Sequence, residues 1–194
     1  MRTGILVLAL AALAGGTARA QKVLQKGNTR AGFWIGFGVG AGSAGTDCSS
    51  CSTERFAGLS GYLRLGGTVS QHILIGGETN GWVHSQRGAD ENMGFLSAVL
   101  VWYPSRTGAF FLKFGLGALK YTGTSLGLKI EATAPSASVG LGYDIHVGRN
   151  FSVTPFLNSL ATSAASFTVN GVAASSSEDI KLSLVQFGVG VTWH

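Results

Sequence analysis

The sequence predicts an all-β chain, an eight-stranded antiparallel up-and-down transmembrane β-barrel preceded by a cleavable signal peptide. Three observations predict it. Bulky apolar and small residues alternate with period two along most of the chain, the pattern of strands rather than helices. Only 12% of the 194 residues are charged while 45% are apolar and 30 are glycine, far from the roughly one-quarter charged share of a soluble domain. The links between the alternating segments are by turns long and polar, then short and rich in turn residues.

The first twenty residues read as an address. Met1, Arg2 and Thr3 give a short basic start, residues 4–13 an apolar run, and Ala18, Arg19 and Ala20 a small-x-small cleavage pattern before Gln21. The run is half the length of a spanning helix before Gly15 and Gly16 interrupt it. Residues 21–194 then form one barrel domain. Cleavage removes Arg2 and Arg19 from the 14 basic residues, leaving 12 against 9 acidic ones, too small an excess to predict a nucleic-acid partner. In an exported chain the two cysteines, Cys48 and Cys51, are expected to form a small loop disulfide.

Eight segments follow from the alternation: 31–42, 56–67, 73–84, 92–103, 109–122, 135–147, 151–161 and 180–193. The first alternates Phe33, Ile35, Phe37 and Val39 with Trp34, Gly36, Gly38 and Gly40; the fifth alternates Phe110, Leu112, Phe114 and Leu116 with Phe111, Lys113, Gly115 and Gly117. In the last, Val185, Phe187, Val189, Val191 and Trp193 share a face. In the third, Gly77, Thr79 and Gly81 dilute the outer face, and Pro155 in the seventh predicts a bulge or local irregularity. Links 43–55, 85–91, 123–134 and 162–179 read as long loops; 68–72, 104–108 and 148–150 read as tight turns. Both termini then lie at the short-turn end, in the periplasm.

Residues paired across a tight turn point the same way, which tests the facing. Centring the second turn on Arg106 pairs Trp102 with Phe110 and Leu100 with Leu112; centring the third on Arg149 pairs Leu141 with Leu157 and Asp144 with Thr154. The other face carries mostly Gly, Ser and Thr, a poor coat for a soluble barrel but a good filling for a lumen only wide enough for side chains. The bulky face is therefore expected to meet lipid, with Lys120 as its single charge, close to the extracellular end.

Arg64, Glu78, Lys113 and Asp144 fall on the lumen face and are expected to form a packed polar network that plugs the barrel. With the first turn centred on Ser70, Arg64 lies diagonal to Glu78, within ion-pair reach, and Lys113 and Asp144 sit at similar depth on adjacent strands. An ion-conducting row needs a wider barrel. Aromatics near segment ends, Trp102, Tyr103 and Trp193 below and Trp82 and Tyr121 above, are expected at the membrane interfaces.

The run 111–117, the run 139–143 and the terminal run 187–194 resemble the repeated strands of the small outer-membrane β-barrel family of the OmpA/OmpX kind. The resemblance covers the mature chain by pattern, without a catalytic signature. It implies a monomer in outer-membrane lipid of a Gram-negative bacterium, inserted by the barrel-assembly machinery, which reads an alternating C-terminal strand ending in an aromatic residue. Here that aromatic, Trp193, is penultimate and His194 follows.

Other motifs carry less. Residues 40–45 match G-x-G-x-x-G, but no helix follows to complete a dinucleotide site. Cys48 and Cys51 have C-x-x-C spacing without a second pair or a nearby histidine, so no metal or cofactor is expected. His84 and Ser85, with Asp90 or Glu91 as the acid, are the one constellation to weigh for a lipid hydrolase, yet adjacent strand residues face opposite sides. The sequence therefore predicts a non-enzymatic, plugged barrel with an envelope-structural or surface-display role. The alternatives are an outer-leaflet lipid hydrolase and a small porin-like protein passing apolar molecules.

Overall fold

The computed structural model describes residues 30–47, 55–86, 88–163, 165–174 and 180–194. The expected leader and the expected Cys48–Cys51 disulfide lie outside the described residues. Strands β1 (Phe33–Asp47), β2 (Arg55–Thr68), β3 (Ile73–Gln86), β4 (Ala89–Trp102), β5 (Phe110–Ser125) and β6 (Leu128–Tyr143) follow one another around the wall. The short β7 (Ile145–His146) continues β6; β8 (Phe151–Thr162) and β11 (Lys181–Trp193) complete the circuit, and β9 (Ser166–Val169) and β10 (Val172–Ala174) form a side hairpin. Every neighbouring pair is antiparallel, and β11 pairs with β1, so eight staves close into a barrel.

The strand registers define its geometry. Paired residues run from Ser152 on β8 through Thr192, Gly36, Arg64, Glu78, Ser97, Gly117 and Ser136, and return to β8 at Thr162. The row comes back ten residues above its start. With eight strands that stagger corresponds to a tilt of about 40° and an interior that side chains alone can fill.

The period-two pattern sorts the faces. Phe37, Leu116 and Val189 are 56%, 72% and 53% exposed, with Val39, Leu59, Leu96, Phe114 and Phe187 beside them on one apolar belt. A belt this continuous has no counterpart on a soluble monomer and matches a wall that meets hydrocarbon. The small residues on the inner face make room for large ones opposite. A Cβ on Gly38 would lie 2.5 Å from the Tyr62 ring, and one on Gly42 2.7 Å from the Trp82 ring. At Gly40 the backbones themselves come together: its Cβ would lie 2.6 Å from the Cα of Gly188, its partner on β11.

The structure corrects several expectations. Among the described residues most of the supposed loops 85–91 and 123–134 is strand: β3 and β4 stay paired to Gln86 and Ala89, and β5 and β6 to Ser125 and Leu128. Leu126 and Gly127, with φ of 49° and 81°, make a two-residue turn whose twist suits a hairpin. Within 162–179, Asn170 and Gly171 take the same φ values and close the β9–β10 hairpin, which β9 docks on the upper part of β6. Backbone pairing stabilises these polar stretches where the sequence suggested open loops.

Facing is as expected at the second turn but the register is two residues off: Trp102 pairs with Leu112 and Leu100 with Phe114, because the turn is longer than assumed. Pro155 produces no bulge; β8 runs through it against β11 in unbroken register. The irregularity falls on the facing strand. The β6–β8 ladder stops at Gly142 opposite Phe156 and resumes at Ile145 opposite Val153, where the missing proline N–H removes a donor.

Candidate functional site: a sealed polar lumen

The lumen is built in three layers. At the hairpin end Ala44, Trp82, Met93, Phe95, Leu119, Ala132, Leu160, Leu182 and Leu184 form one buried apolar cluster. At the short-turn end Trp34, Leu74, Val99, Val101, Tyr103 and Phe111 form another. Between and beside them lie the charged and hydroxyl side chains. Arg64, Glu78, Lys113 and Asp144 are all almost fully buried, between 1% and 3% exposed. The lumen of an eight-stranded barrel leaves no room for bulk water between such groups, so each charge must be met by another group.

The four expected residues are all in the lumen, but they divide into two sets. Lys113 Nζ forms an ion pair with Glu78 Oε1, which also accepts from Asn80 Nδ2 at 2.8 Å. Arg64 stands directly opposite Glu78 in the β2–β3 register, yet no ion pair joins them. Its guanidinium instead lies among aromatic faces, 4.9 Å from the Tyr62 centroid and 5.0 Å from that of Phe111, and donates to Thr192 Oγ1 at 3.3 Å. Asp144 does not pair with Lys113. It accepts from Thr154 Oγ1 at 2.6 Å and Tyr103 Oη at 2.7 Å.

Hydroxyls connect Arg64 to Asp144. Thr154 spends its one proton on Asp144, so Thr192, 3.2 Å away, is the donor between the two threonines, and Arg64 donates to Thr192. A buried cation and a buried anion are thus linked through two neutral side chains, each oriented by the next. Nearer the hairpin end, Gln186 bridges Ser60 and Asn158 across the lumen.

Three of the five expected interface aromatics point inward. Trp82 is 1% exposed and donates Nε1–H to the Gly42 carbonyl at 3.2 Å; Tyr103 is equally buried against Asp144; Tyr121 packs on the apolar cluster of the hairpin end. Position near a strand end suggested the interface, but strand parity decides the face, and these three share parity with Asn80, Val101 and Leu119. Trp102 and Trp193 do face outward at the short-turn rim. Lys120 also faces out and binds Glu131 at 2.9 Å.

Arg30 was missed because it precedes every strand. It is 1% exposed, stacks 3.4 Å from the Tyr103 ring centroid, and donates to the carbonyls of Gln71, Arg106 and Gly108 in the first two short turns. Gln71 Nε2 returns a bond to the Arg30 carbonyl at 2.7 Å. One side chain thereby ties two turns together beneath the lumen. His84 and Ser85 make no catalytic pair: Ser85 Oγ donates to Asp90 at 2.6 Å, while the His84 ring, on the other face, bonds the Ala57 carbonyl at 2.8 Å. Among the described residues no group of three metal-ligating side chains occurs.

With this architecture the chain has the fold of the small eight-stranded outer-membrane barrels. It is similar to Neisserial surface protein A (TM-score 0.59, 13% identity, 83% of this chain and 96% of that one). It is also similar to Ail, the attachment invasion locus protein of Yersinia pestis (0.56, 14%, 84% and 99%). A third likeness is to the outer membrane protein OprG from Pseudomonas aeruginosa (0.50, 14%, 86% and 98%). No family model and no curated protein matches the chain.

Proposed function

We propose that this protein is a closed outer-membrane barrel that acts as an anchor and platform, holding the β3–β4, β5–β6 and β9–β10 hairpins above the outer leaflet. The carrying observation is the double seal: an apolar cluster at each end of the lumen with a charge-paired polar layer between them. A pathway for ions or polar solutes would have to break both clusters and separate buried charges. The apolar belt supports placement in a bilayer, and the likeness to barrels named as outer-membrane and surface proteins favours the outer membrane.

Two measurements test the reading. Reconstituted protein is expected to give no conductance steps in planar bilayers; steady unitary steps would contradict the seal. A cysteine placed at Leu126, the fully exposed tip of the β5–β6 hairpin, is expected to react with an impermeant thiol reagent on intact cells. One at Ser105, in the second short turn, should react only after the outer membrane is permeabilised.

A further inference from the structure

Among the described residues, the outer wall carries one place where charge and shape coincide. Outward-facing Gly61 pairs with Gly81, Gly81 with Gly94, Gly94 with Lys120, and Lys120 with Thr133. Over the first three lies a groove of about 530 Å³ flanked by Val39, Leu59, Leu63 and Val83. A Cβ at Gly81 or Gly94 would meet nothing within 4 Å, so the groove is open on the lipid side.

The stagger of the barrel sets its direction. Rows of paired residues climb toward the hairpin end from β1 to β6, so this row descends from Lys120 to Val39, which pairs with Gly61. For strands about 4.8 Å apart and tilted about 40°, the four steps drop roughly 12 Å into the hydrocarbon. At the upper end Lys120 Nζ and Lys129 Nζ lie 2.9 and 3.3 Å from the same Glu131 oxygen, their side chains 61% and 52% exposed. Two cations sharing one anion leave a net positive charge at the rim of the apolar belt, with ammonium protons unspent. Asn92 lines the groove beneath this cluster.

From this we infer a lipid site: a phosphate-bearing lipid of the outer leaflet sets its phosphate on Lys120 and Lys129 and lays one acyl chain in the groove over Gly94, Gly81 and Gly61. The inference rests on the bilayer placement proposed above. An anionic headgroup is selected because the cluster is positive where headgroups begin, and a chain is selected because the groove below it is apolar and faces hydrocarbon.

The test is native mass spectrometry of the folded protein in detergent with phosphatidylglycerol or phosphatidylcholine of identical chains. Wild type is expected to retain phosphatidylglycerol several-fold better. Lys120→Gln with Lys129→Gln should abolish that preference by lowering phosphatidylglycerol retention several-fold, and leave phosphatidylcholine unchanged. Gly81→Leu should lower retention of both lipids while keeping the preference, and Gly94→Leu supplies the same arm if that variant does not fold. Equal retention of the two lipids by wild type, or lysine or groove variants that bind as wild type does, overturns the site. A chain that inserts in vesicles without lipid preference refutes only this site, whereas one that stays soluble without detergent refutes the bilayer placement.

Discussion

Glu78 and Lys113 form an ion pair inside the barrel although their strands, β3 and β5, are separated by the whole of β4. On β4, Ser97 pairs with Glu78 and Val101 with Lys113, and Gly140 leaves space beside the lysine stem, 3.2 Å from where its Cβ would lie. Neither residue reaches water, so each depends on the other for its charge.

Lys113→Met is therefore expected to destabilise the barrel by about 3–5 kcal/mol, since it strands a buried carboxylate. Glu78→Gln added to Lys113→Met should recover much of that loss. Urea unfolding in lipid vesicles measures both, and a single-variant loss under about 1 kcal/mol would contradict the pairing.

The close approach of β1 and β11 predicts a contrast between glycines. Gly40→Ala pushes a methyl against the backbone of Gly188 and should cost about 1–3 kcal/mol, as overpacking does. Gly81→Ala, whose methyl enters open space on the outer wall, should fall within about 0.5 kcal/mol of wild type in the same unfolding assay.

Arg30→Ala removes three carbonyl contacts and a ring stack at the short-turn end. Faster amide hydrogen exchange is expected at residues 69–72 and 103–109, with strand amides in β5 and β6 unchanged. Exchange rising equally through the wall would show a global effect instead of a clamp on two turns.

Above the belt, hydrogen bonds from Lys120 and then Lys129 hold the Glu131 carboxyl below its ordinary range. A lowered carboxylate value means that the bridge is complete above the usual carboxylate pKa of about 4.3 and is lost only as pH falls through the lower folded value. Carboxyl NMR titration should find that low midpoint in wild type and a higher one in Lys120→Gln; identical midpoints would show that the lysines do not act on it.

The strands, their faces and the side that meets lipid were legible because a period-two pattern needs no knowledge of contacts. Pairing inside the lumen was not. Arg64 and Glu78 are directly opposite, yet lysine and arginine stems are long enough to choose among several partners, and aromatic rings drew the guanidinium away. Trp82, Tyr103 and Tyr121 were misplaced by weighing height along a strand above parity. Asn170 and Gly171 are a hairpin signal that could have revealed β9 and β10, whereas Leu126 and Gly127 are an unusual turn pair that polar composition around them concealed.

The central claim is that the bulky face looks out at hydrocarbon. The four tryptophans divide evenly: Trp102 and Trp193 face outward, and Trp34 and Trp82 are sealed in the lumen. Quenching of single-tryptophan variants by brominated acyl chains in vesicles tests this directly. The account predicts strong quenching at Trp102 and Trp193 and little at Trp34 and Trp82; the reverse order, or equal quenching at all four, would contradict it.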